Sequence, residues 1–501
     1  MDYDVIIGME IHAELKTKRK MFCACDNDQV GKKPNENTCP LCLGHPGTLP
    51  VPNKEAIDWT ILLGLALHGK INLFSKFDRK NYFYPDLPKG YQISQYDLPF
   101  VYDAKLKIND KEIEITRVHL EEDTGKNTHP NGKNYSLIDF NRSGTPLSEL
   151  VTEPVIKSGE EAKKFCQRYQ QVLRYLDISN ADMEKGEMRC EANISLQEKD
   201  KWERSDNTII AKGNYKLNPK IEVKNINSFK AVEKAIDYEI KRQSKALEQG
   251  KELSQETRGW NEDKGMTISQ RIKENSADYR YFPDPDIPPI KIDAQKIKEL
   301  KSRIIELPSE KLDRFISQYN LSEDVAELII SNKDFANYTE EVISELRAWI
   351  NSTGDDWQRQ KHILAKSVAN WLTSELLKHL RADNKEIKDI KITPENFAEL
   401  ITLIYQDKIG SSAGQQILDY MYKHGGDPTD IMRELNLEQM DNNEELEQII
   451  EEITVNNEKQ VEQYREGKTN VLQYFVGQTM AKTKGKANPK TVIKILKKIL
   501  D

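Results

Sequence analysis

Four of the six cysteines lie close together near the N-terminus in two closely spaced pairs, Cys23 with Cys25 and Cys39 with Cys42. Two thiolate pairs joined by a short loop can close tetrahedrally around Zn²⁺, and Pro40 favours the tight turn within the second pair. Four thiolates leave no open coordination position, so the spacing predicts a structural zinc site. A redox pair and four ordinary thiols are the alternatives that the spacing leaves open.

A second group of reactive side chains lies along predicted strands. Side chains alternate between the two faces of a strand, so Glu10 and His12 share a face opposite apolar residues. The same alternation separates Arg189 and Glu191 from the apolar residues of a later strand, and it places Arg, His and Glu on one face of residues 115–122. For any one strand, a sheet with one solvated face is the simpler interpretation.

The content of these polar faces favours a catalytic surface. Ordinary solvated faces carry Thr, Lys and Ser, whereas these concentrate Glu, His, Arg and Asn. Clustered carboxylates with a histidine suit a hard cation such as Mg²⁺. Lys80, Arg189 and Lys224 could neutralise phosphate oxygens nearby. The pattern alone does not show that the strands are neighbours.

The composition limits the classes of protein that could carry these residues. The chain has 501 residues, of which 37% are hydrophobic and 31% charged, and no stretch approaches the ~20 apolar residues of a membrane helix. The acidic N-terminus runs directly into a predicted strand, so we expect no signal peptide, no membrane partner and a cytoplasmic location. The net charge of −8, taken alone, argues against a nucleic-acid partner.

The elements that must position the candidate residues fall into two regions. Short alternating runs separated by turn residues occupy the first ~290 residues, and helical patterns fill the remainder. We therefore predict an α+β fold: an N-terminal, mainly antiparallel-sheet cradle domain with flanking helices, then an all-α helical domain and a small all-α tail. The predicted boundaries are 1–292, 293–408 and 409–501.

Several common catalytic motifs are missing from the sequence. It contains no G-x-x-x-x-G-K-[ST], no G-x-S-x-G, no H-E-x-x-H and no Ser/Lys amidase signature. Any use of ATP therefore does not depend on a P-loop. If an amide is hydrolysed in this system, we expect another subunit to do it.

Seven segments together resemble one protein family. They are GMEIHAEL at 8–15, FDRKNYFYPD at 77–86, RVHLEED at 117–123, NRSGTPL at 141–147, MRCEANIS at 188–195, EVKNINSF at 222–229 and DYRYFP at 278–283. They resemble the B subunit of the tRNA-dependent aspartyl/glutamyl amidotransferase, the GatB family. The resemblance continues to residues 476–489 and so spans essentially the whole chain.

The resemblance implies a kinase and transamidase component in a complex with the A and C subunits of the amidotransferase. Such a component uses ATP and Mg²⁺ to phosphorylate the side-chain carboxylate of Glu misacylated on tRNA-Gln, or of Asp on tRNA-Asn. Ammonia that the A subunit releases from glutamine then displaces the phosphate. The resemblance also implies that the tail is YqeY-like and that both C-terminal domains hold the body of the tRNA.

The resemblance also assigns site residues. His12, Glu122 and Glu149 match the metal-binding positions, and Glu10 matches a motif carboxylate beside them; an exposed loop acid is the alternative for Glu149. The strands that line the phosphoryl-transfer pocket are matched by Lys80, Arg189, Glu191, Lys224 and Asn225. We expect Lys80 and Arg189 to contact phosphates, and Glu191 to hold a second metal or take the ammonia proton. Position 191 is commonly Asp in this family.

Basic residues dominate the end of the chain. Between residues 468 and 500 every charged side chain is a lysine, and the only acid beyond them is Asp501. RNA phosphates require such a patch, although a solvated helix face gives the same pattern. The predicted tRNA contacts are Lys482, Lys484, Lys486 and Lys490.

Two other interpretations compete with this one. The first is the related archaeal E-type subunit, which is specific for Glu on tRNA-Gln and carries a large inserted domain that is not visible in this sequence. The second is a zinc-stabilised RNA-binding scaffold without catalysis, which leaves the polar strand faces unexplained. The sequence does not decide between Glu-tRNA and Asp-tRNA as the substrate.

Overall fold

The structure, a computed structural model, describes residues 3–205, 207–272, 278–354, 356–439, 443–483 and 485–500. The chain divides into two units, Met1–Ser309 and Glu310–Asp501. The first unit carries the strands and the second is helical, so the predicted α+β class is confirmed.

The strands of the first unit begin and end as follows: β1 Tyr3–Glu14, β2 Lys70–Ile71, β3 Phe74–Ser75, β4 Asp78–Asn81, β5 Tyr91–Ser94, β6 Val101–Ile108, β7 Lys111–Glu122, β8 Lys126–Thr128, β9 Leu137–Asp139, β10 Pro146–Thr152, β11 Met188–Glu198, β12 Trp202–Ser205, β13 Thr208–Ala211, β14 Ile221–Ile226, β15 Glu256–Asn261, β16 Met266–Ile272, β17 Phe282–Pro283 and β18 Ile290–Lys291. Its helices are α1 Lys54–Ala66, α2 Gly159–Tyr175, α3 Phe229–Glu248 and α4 Ala294–Ser302.

Nine of these strands form one sheet in the order β16-β15-β14-β11-β1-β10-β7-β6-β2. Neighbouring strands run antiparallel except for the parallel pair of β14 and β15. Strand β1 lies inside the sheet, between β10 and β11. Antiparallel register places residues of adjacent strands directly opposite one another, so it fixes which polar side chains can meet.

One face of the sheet is buried and the other carries polar residues. Ile7, Met9, Ile11 and Ala13 of β1 are at most 1% exposed and belong to the core of the first unit. Residues of α2 and α3 join that core. Each helix is preceded by an N-cap serine, Ser158 or Ser228, whose hydroxyl accepts a hydrogen bond from a backbone N–H of the first turn. The predicted alternation along β1 is therefore confirmed, and its polar face is left free for a site.

The second unit consists of helices, with one π-helical and one 3₁₀ segment. They are α5 Pro308–Tyr319, α6 Glu323–Ile330, α7 Lys333–Ser352, α8 Trp357–Asn370, the π-helix Trp371–Leu376, α9 Leu377–Asp383, the 3₁₀ helix Ile387–Asp389, α10 Pro394–Tyr405, α11 Ser411–His424, α12 Pro428–Glu434, α13 Asn443–Val455, α14 Glu458–Arg465, α15 Val471–Lys482 and α16 Pro489–Leu500.

Two hydrophobic cores lie within the described part of this second unit. One extends from Leu312 to Leu437 and the other from Leu446 to Leu500. The first includes Ile401 from α10 as well as residues of α11, so it contains side chains from both sides of the predicted 408/409 boundary. The three-domain division stays a prediction. No helix among the described residues has both the length and the apolar character needed to cross a membrane.

Replacing Gly64 with alanine should destabilise the first unit. A Cβ at this position in α1 would lie 2.3 Å from Cγ2 of Val101, which is buried. Overpacking of a core costs about 1–3 kcal/mol, and we expect the free energy of unfolding to fall by that order. Denaturant unfolding of the variant checks this.

The matched control is Gly477→Ala in α15, where an added Cβ would have no neighbour within 4 Å. There the helix gains up to about 1 kcal/mol from the better helix former. If Gly64→Ala were as stable as Gly477→Ala, α1 could not pack closely against β6.

Candidate functional site

The register of four strands brings predicted site residues into one row across the sheet. His12 of β1 lies opposite both Glu149 of β10 and Arg189 of β11. Glu149 in turn lies opposite His119 of β7. Polar side chains from strands far apart in the sequence therefore meet on one face, which the sequence pattern alone could not show.

Five side chains of this face form a cluster, which we call the histidine–carboxylate cluster; they are Glu10, His12, His119, Glu121 and Glu149. Nε2 of His12 lies 3.3 Å from Oε2 of Glu149, and Nε2 of His119 lies 3.2 Å from the same oxygen. Nε2 of His12 is also 3.8 Å from carboxylate oxygens of Glu10 and Glu121. Two subsets of three, each containing Glu149, have potential ligand atoms within 4.8 Å of one another.

The charges of the cluster are balanced within the site. Burial disfavours the charged form of His12, but the charge of Glu149 and its hydrogen bond outweigh burial and raise the pKa of His12 to about 9. Burial acts in the opposite direction on Glu149, where the charges of the two histidines hold the pKa well below its usual range. Burial is also offset at Lys80, because the charges of Glu121 and Glu149 raise its pKa.

The donor set of the cluster fits a hard divalent cation. Its three carboxylates supply the oxygen ligands that Mg²⁺ prefers, and two imidazole nitrogens lie among them. The positive charge of such an ion would offset the negative charge of the carboxylates. Glu121 and Glu149 are almost fully buried, at 2% and 4% exposure. Buried carboxylates require compensation of this kind.

The structure places Glu122, predicted as the third metal ligand, outside the cluster. It is the last residue of β7, and its side chain leaves the strand on the face opposite Glu121 because successive side chains alternate. Its carboxylate accepts a hydrogen bond from the backbone N–H of Ile93 at 3.0 Å and pairs with Lys89. Strand β7 continues through Glu122, so the alternation of side chains extends to that residue.

Lys224 and Asn225 lie at an irregularity in β14. Between them and β11 the pairing register shifts, so both residues stand opposite Glu191. Nζ of Lys224 lies 2.9 Å from Oε2 of Glu191 and 3.0 Å from Oε1 of Glu222. Asn225 is exposed, with a left-handed φ of 60°, a conformation that Asn tolerates better than most residues. Lys224 and Glu191, which both match strands that line the predicted pocket, are therefore neighbours.

Arg189 joins the row to a second charged group. Its Nη2 donates to Oδ2 of Asp123 at 2.8 Å, and Nε of Arg142 lies 3.6 Å from the same oxygen. Burial and the nearby charge of Asp123 raise the pKa of Glu14 to about 8. Asp123 is itself buried, and the two arginines keep its pKa below the usual value despite burial.

A cleft of about 560 Å³ opens beside this second group. Glu14 and Arg142 line it together with residues of the loop that separates the two cysteine pairs. The lining residues from that loop are Asn27, Asp28, Gln29 and Val30. A cleft of this size accommodates a nucleotide-sized ligand.

Sequence reasoning did not assign several residues of the site. Alternation places His119 and Glu121 on a polar face, but it does not identify either residue as a ligand. Glu14, Asp123 and Arg142 were not assigned a role. The signal that could have found Glu121 is the two-residue period itself, which puts it on the face of His119 and puts Glu122 on the other.

The four cysteines come together as predicted. Sγ of Cys42 lies 3.6 Å from Sγ of Cys23, 3.7 Å from Sγ of Cys39 and 3.9 Å from Sγ of Cys25. Four sulfurs bound tetrahedrally at a Zn–S distance of about 2.3 Å are about 3.8 Å apart, so this geometry fits Zn²⁺. A hydrogen bond from Cys23 and the charge of Lys20 lower the pKa of Cys42 to about 4, against the effect of burial.

The predicted tRNA-binding lysines differ in their contacts and in their exposure to solvent. Nζ of Lys482 lies 2.5 Å from a carboxylate oxygen of Glu452, and Nζ of Lys486 donates to Oδ1 of Asn436 at 3.0 Å. Lys490 is 3.8 Å from Asp407 and highly exposed. Lys484 lies outside the described residues. The exposed lysines of α16 also include Lys494 and Lys497.

Comparison with protein families identifies the class to which this fold and site belong. The GatB/GatE catalytic domain model matches residues 5–298, which contain the sheet and the histidine–carboxylate cluster. A second model, the GatB domain, matches residues 358–500. The chain therefore carries the catalytic domain shared by the B and E types of subunit.

Curated relatives narrow the class to one family. Three of them, from Persephonella marina, Thermosipho melanesiensis and Thermotoga maritima, are each named as the B subunit of aspartyl/glutamyl-tRNA(Asn/Gln) amidotransferase. They are 42%, 43% and 41% identical, and each alignment covers 100% of both chains. This chain belongs to the family of aspartyl/glutamyl-tRNA(Asn/Gln) amidotransferase B subunits. The predicted family and the amidotransferase class are thus confirmed.

Elemental analysis of the purified chain should find about one zinc per chain, because the four sulfurs already have the spacing of a tetrahedral site. Cys42→Ser removes the sulfur that is nearest to the other three. We expect that variant to lose the metal and to unfold at a lower temperature. Cys166→Ala, which removes a buried thiol elsewhere, is the control and should retain its zinc. Metal-free wild-type protein from a chelator-free preparation would contradict this prediction.

Proposed function

We propose that this chain converts the side-chain carboxylate of Glu on tRNA-Gln, or of Asp on tRNA-Asn, into the corresponding amide. A carboxylate is a poor electrophile, and phosphorylation by ATP supplies it with a leaving group that ammonia can displace. Such phosphoryl transfer depends mainly on positioning and charge neutralisation. The observation that carries the proposal is the histidine–carboxylate cluster, which lies beside Lys80 and Arg189 in a chain of this family.

The cluster is the proposed Mg²⁺ site. His12 and Glu149 are the ligands that the resemblance predicts, and Glu121 takes the third position, which the resemblance gives to Glu122. Glu10 borders the same group. Bound there, the ion would supply charge neutralisation for the transferred phosphoryl group. The neighbouring carboxylates raise the pKa of both histidines, so an ion bound here would compete with protons for the imidazoles.

Cationic side chains flank the cluster on two sides and would orient the phosphates. Lys80 stands in the field of Glu121 and Glu149, and Arg189 is held by Asp123. An arginine that is already paired with a buried carboxylate keeps its guanidinium fixed, which limits the ordering cost of phosphate binding. We assign both residues to phosphate contacts.

Glu191 and Lys224 are assigned to the amidation step. Glu191 lies directly across from Glu10 in the sheet, and its carboxylate is paired with Lys224. A carboxylate at this place can take the proton that ammonia loses as the C–N bond forms and phosphate leaves. Asn225 occupies the exposed left-handed position next to Lys224, where it would contact substrate.

The remaining assignments concern partners and location. Ammonia would come from the glutaminase, the A subunit, with the C subunit completing a heterotrimer in the cytoplasm. The amidotransferase names of the relatives and the missing amidase signature in this chain support that division of labour. We assign the basic C-terminal segment to the body of the tRNA. Co-expression with candidate A and C subunits, followed by assay of Glu-tRNA and Asp-tRNA conversion with glutamine and ATP, tests the whole proposal.

Adjacent glutamates provide a sharp test of the metal site. Glu121→Gln removes a carboxylate from the cluster, and we expect ATP-dependent transamidation by the complex to fall about 100-fold or more. Glu122→Gln removes a carboxylate from the opposite face and should lower kcat by less than tenfold, although loss of its pairing with Lys89 lowers stability. Binding of tRNA should be the same in both variants. The reverse pattern would place the metal at Glu122.

The basic segment can be tested through the salt dependence of tRNA binding. Replacing Lys490, Lys494 and Lys497 with alanine should weaken binding and reduce the slope of log K against log salt by about 1 for each phosphate contact that the variant no longer makes. Because the three side chains are exposed, stability should not change. The control replaces three exposed lysines elsewhere, Lys301, Lys366 and Lys408. Equal slopes in the two triple variants would exclude this segment as a tRNA contact.

A further inference from the structure

A lysine is buried beside the four cysteines, and none of the assigned roles uses it. Lys20 is 1% exposed, so its ammonium is removed from solvent. Nζ donates to the carbonyl oxygen of Asn37 at 2.9 Å and to that of Phe140 at 3.4 Å. It also lies 3.6 Å from Sγ of Cys42. A buried charge is costly unless it is compensated, and of these three contacts only the sulfur can carry the opposite charge.

The cysteine site itself requires positive charge in addition to that of a metal. Four thiolates carry four negative charges, of which Zn²⁺ neutralises two. An ammonium that donates to one of the sulfurs offsets part of the remainder. Replacing a group that hydrogen-bonds to a metal ligand typically lowers the affinity for the metal about 10–100-fold. The position of Lys20 therefore fits a group that helps to retain zinc.

The cysteine site is joined to the segment that leads into β10. We call residues 138–145 the pre-β10 segment and residues 23–42 the cysteine loop. The backbone N–H of Asn37 in the loop donates to Oδ1 of Asn141 in the segment at 2.8 Å. In the other direction, Nδ2 of Asn141 donates to the carbonyl oxygen of Lys33 at 2.7 Å. Asn141 is buried, so the segment cannot shift away from the loop without breaking both hydrogen bonds.

Lys20 lies between the cysteine loop and the pre-β10 segment and contacts both. Its stem packs against Gly144, since a Cβ at that glycine would lie 3.6 Å from Cδ of Lys20. The N–H of the next residue, Met21, donates to the carbonyl oxygen of Gly144 at 2.6 Å. At the far end of the side chain, Nζ reaches Phe140 in the segment and Cys42 in the loop. The lysine therefore holds the segment at two points.

The pre-β10 segment carries an arginine to the catalytic surface. Nε of Arg142 donates to the carbonyl oxygen of Thr124 at 3.0 Å, and its Nη2 donates to that of Gly125 at 2.9 Å. The same Nε lies 3.6 Å from Oδ2 of Asp123, the oxygen to which Arg189 donates. Arg142 also lines the cleft of about 560 Å³. The segment is thus a physical connection between the cysteine loop and the group that holds Arg189.

We propose that Lys20 is a positioning residue that couples zinc binding at the four cysteines to the placement of Arg142. With the sulfurs held together, the ammonium bridges a thiolate and the carbonyl group of Phe140, and the segment keeps Arg142 against Asp123. When the sulfurs separate, the ammonium loses its anionic partner and the segment loses one of its attachments. The consequence for ATP rests on the proposed function, because it requires that Arg189 contacts the phosphates.

The first test measures the zinc affinity of the full chain by competition with a chromophoric chelator. Lys20→Met keeps the length of the side chain and removes its charge, and we expect Kd for zinc to rise about 10–100-fold. Lys18→Met, which changes an exposed lysine two residues earlier, is the matched control and should keep the wild-type Kd. Equal Kd values in the two variants would overturn the proposal, as would wild-type protein that binds no zinc.

The second test follows hydrogen exchange of the wild-type chain with and without zinc. Removing the metal with a chelator should speed the exchange of backbone amides in the pre-β10 segment about tenfold or more, because local opening becomes easier. Amides of α3, in the same unit, should keep their rates. This measurement needs no variant, so it decides the matter even if Lys20→Met fails to fold. Unchanged exchange in the segment would contradict the coupling.

The third test uses the complex with the partner subunits and separates KM from kcat, with zinc in excess. Lys20→Met should raise KM for ATP about tenfold, the order of one charge-assisted hydrogen bond, because the arginines at Asp123 are less well ordered. Its kcat should change less than about threefold, since Lys20 contacts none of the proposed reacting groups. Lys18→Met should match wild type in both constants.

Failure of the coupling and failure of the proposed function give different results. Lower zinc affinity of Lys20→Met with an unchanged KM for ATP would restrict Lys20 to the cysteine site and overturn the coupling. If the wild-type complex showed no ATP-dependent transamidation, the proposed function would fail. Zinc affinity and hydrogen exchange would still decide whether Lys20 and the metal hold the pre-β10 segment.

Discussion

A single buried carboxylate, Glu149, sets the conditions for the rest of the catalytic surface. Two imidazoles from strands on either side approach the same oxygen, at 3.3 Å from His12 and 3.2 Å from His119. Removing one partner of a buried charged group is costly, about 3–5 kcal/mol, because the remaining charge is left without compensation. The three strands must therefore keep their register, since a slip by one residue would turn each of these side chains into the apolar core.

The constraints at the edges of the site follow from that central register. Arg189 lies opposite His12, and Asp123 fixes its guanidinium from the far side. Across the sheet, the shifted pairing of β14 lets both Lys224 and Asn225 face one residue of β11. An extra residue in one strand redirects side chains without disturbing the core beneath, which is a common use of bulges next to functional sites. The regular pairing of the sheet thus holds the row of polar side chains rigidly. The irregularity in β14 lets two adjacent residues of that strand face the site.

Much of this arrangement can be predicted from the sequence. The part that depends on which strands are neighbours in the sheet cannot. The alternation along β1 was sufficient to separate the buried face, with Ile11, from the polar face, with His12. It could not show that Glu149 and Arg189 flank His12, because strand order and register depend on contacts between distant segments. The cysteine spacing is more informative, since four thiols within twenty residues constrain one another locally.

Glu121 and Glu122 show what matching to a family motif leaves undecided. Two adjacent glutamates match the same motif, and matching by resemblance does not distinguish the faces of the strand on which they lie. The physical period does, provided that the strand continues to its last residue, as β7 does here. The resemblance predicts the chemistry of the site. Only the backbone geometry distinguishes Glu121 from Glu122 as the third ligand of the proposed Mg²⁺ site.

The net charge of −8 conceals how the charges are distributed. In the first unit, the negative charges of the site carboxylates are offset by His12, Lys80 and Arg189. In the second unit, all the charged residues of α16 are lysines, whereas α13 is rich in glutamate. Lys498 of α16 pairs with Glu447 of α13. Screening limits surface charges to a range of about 10 Å, so a phosphate responds to the local patch and not to the total. An acidic chain can therefore present a basic surface to RNA.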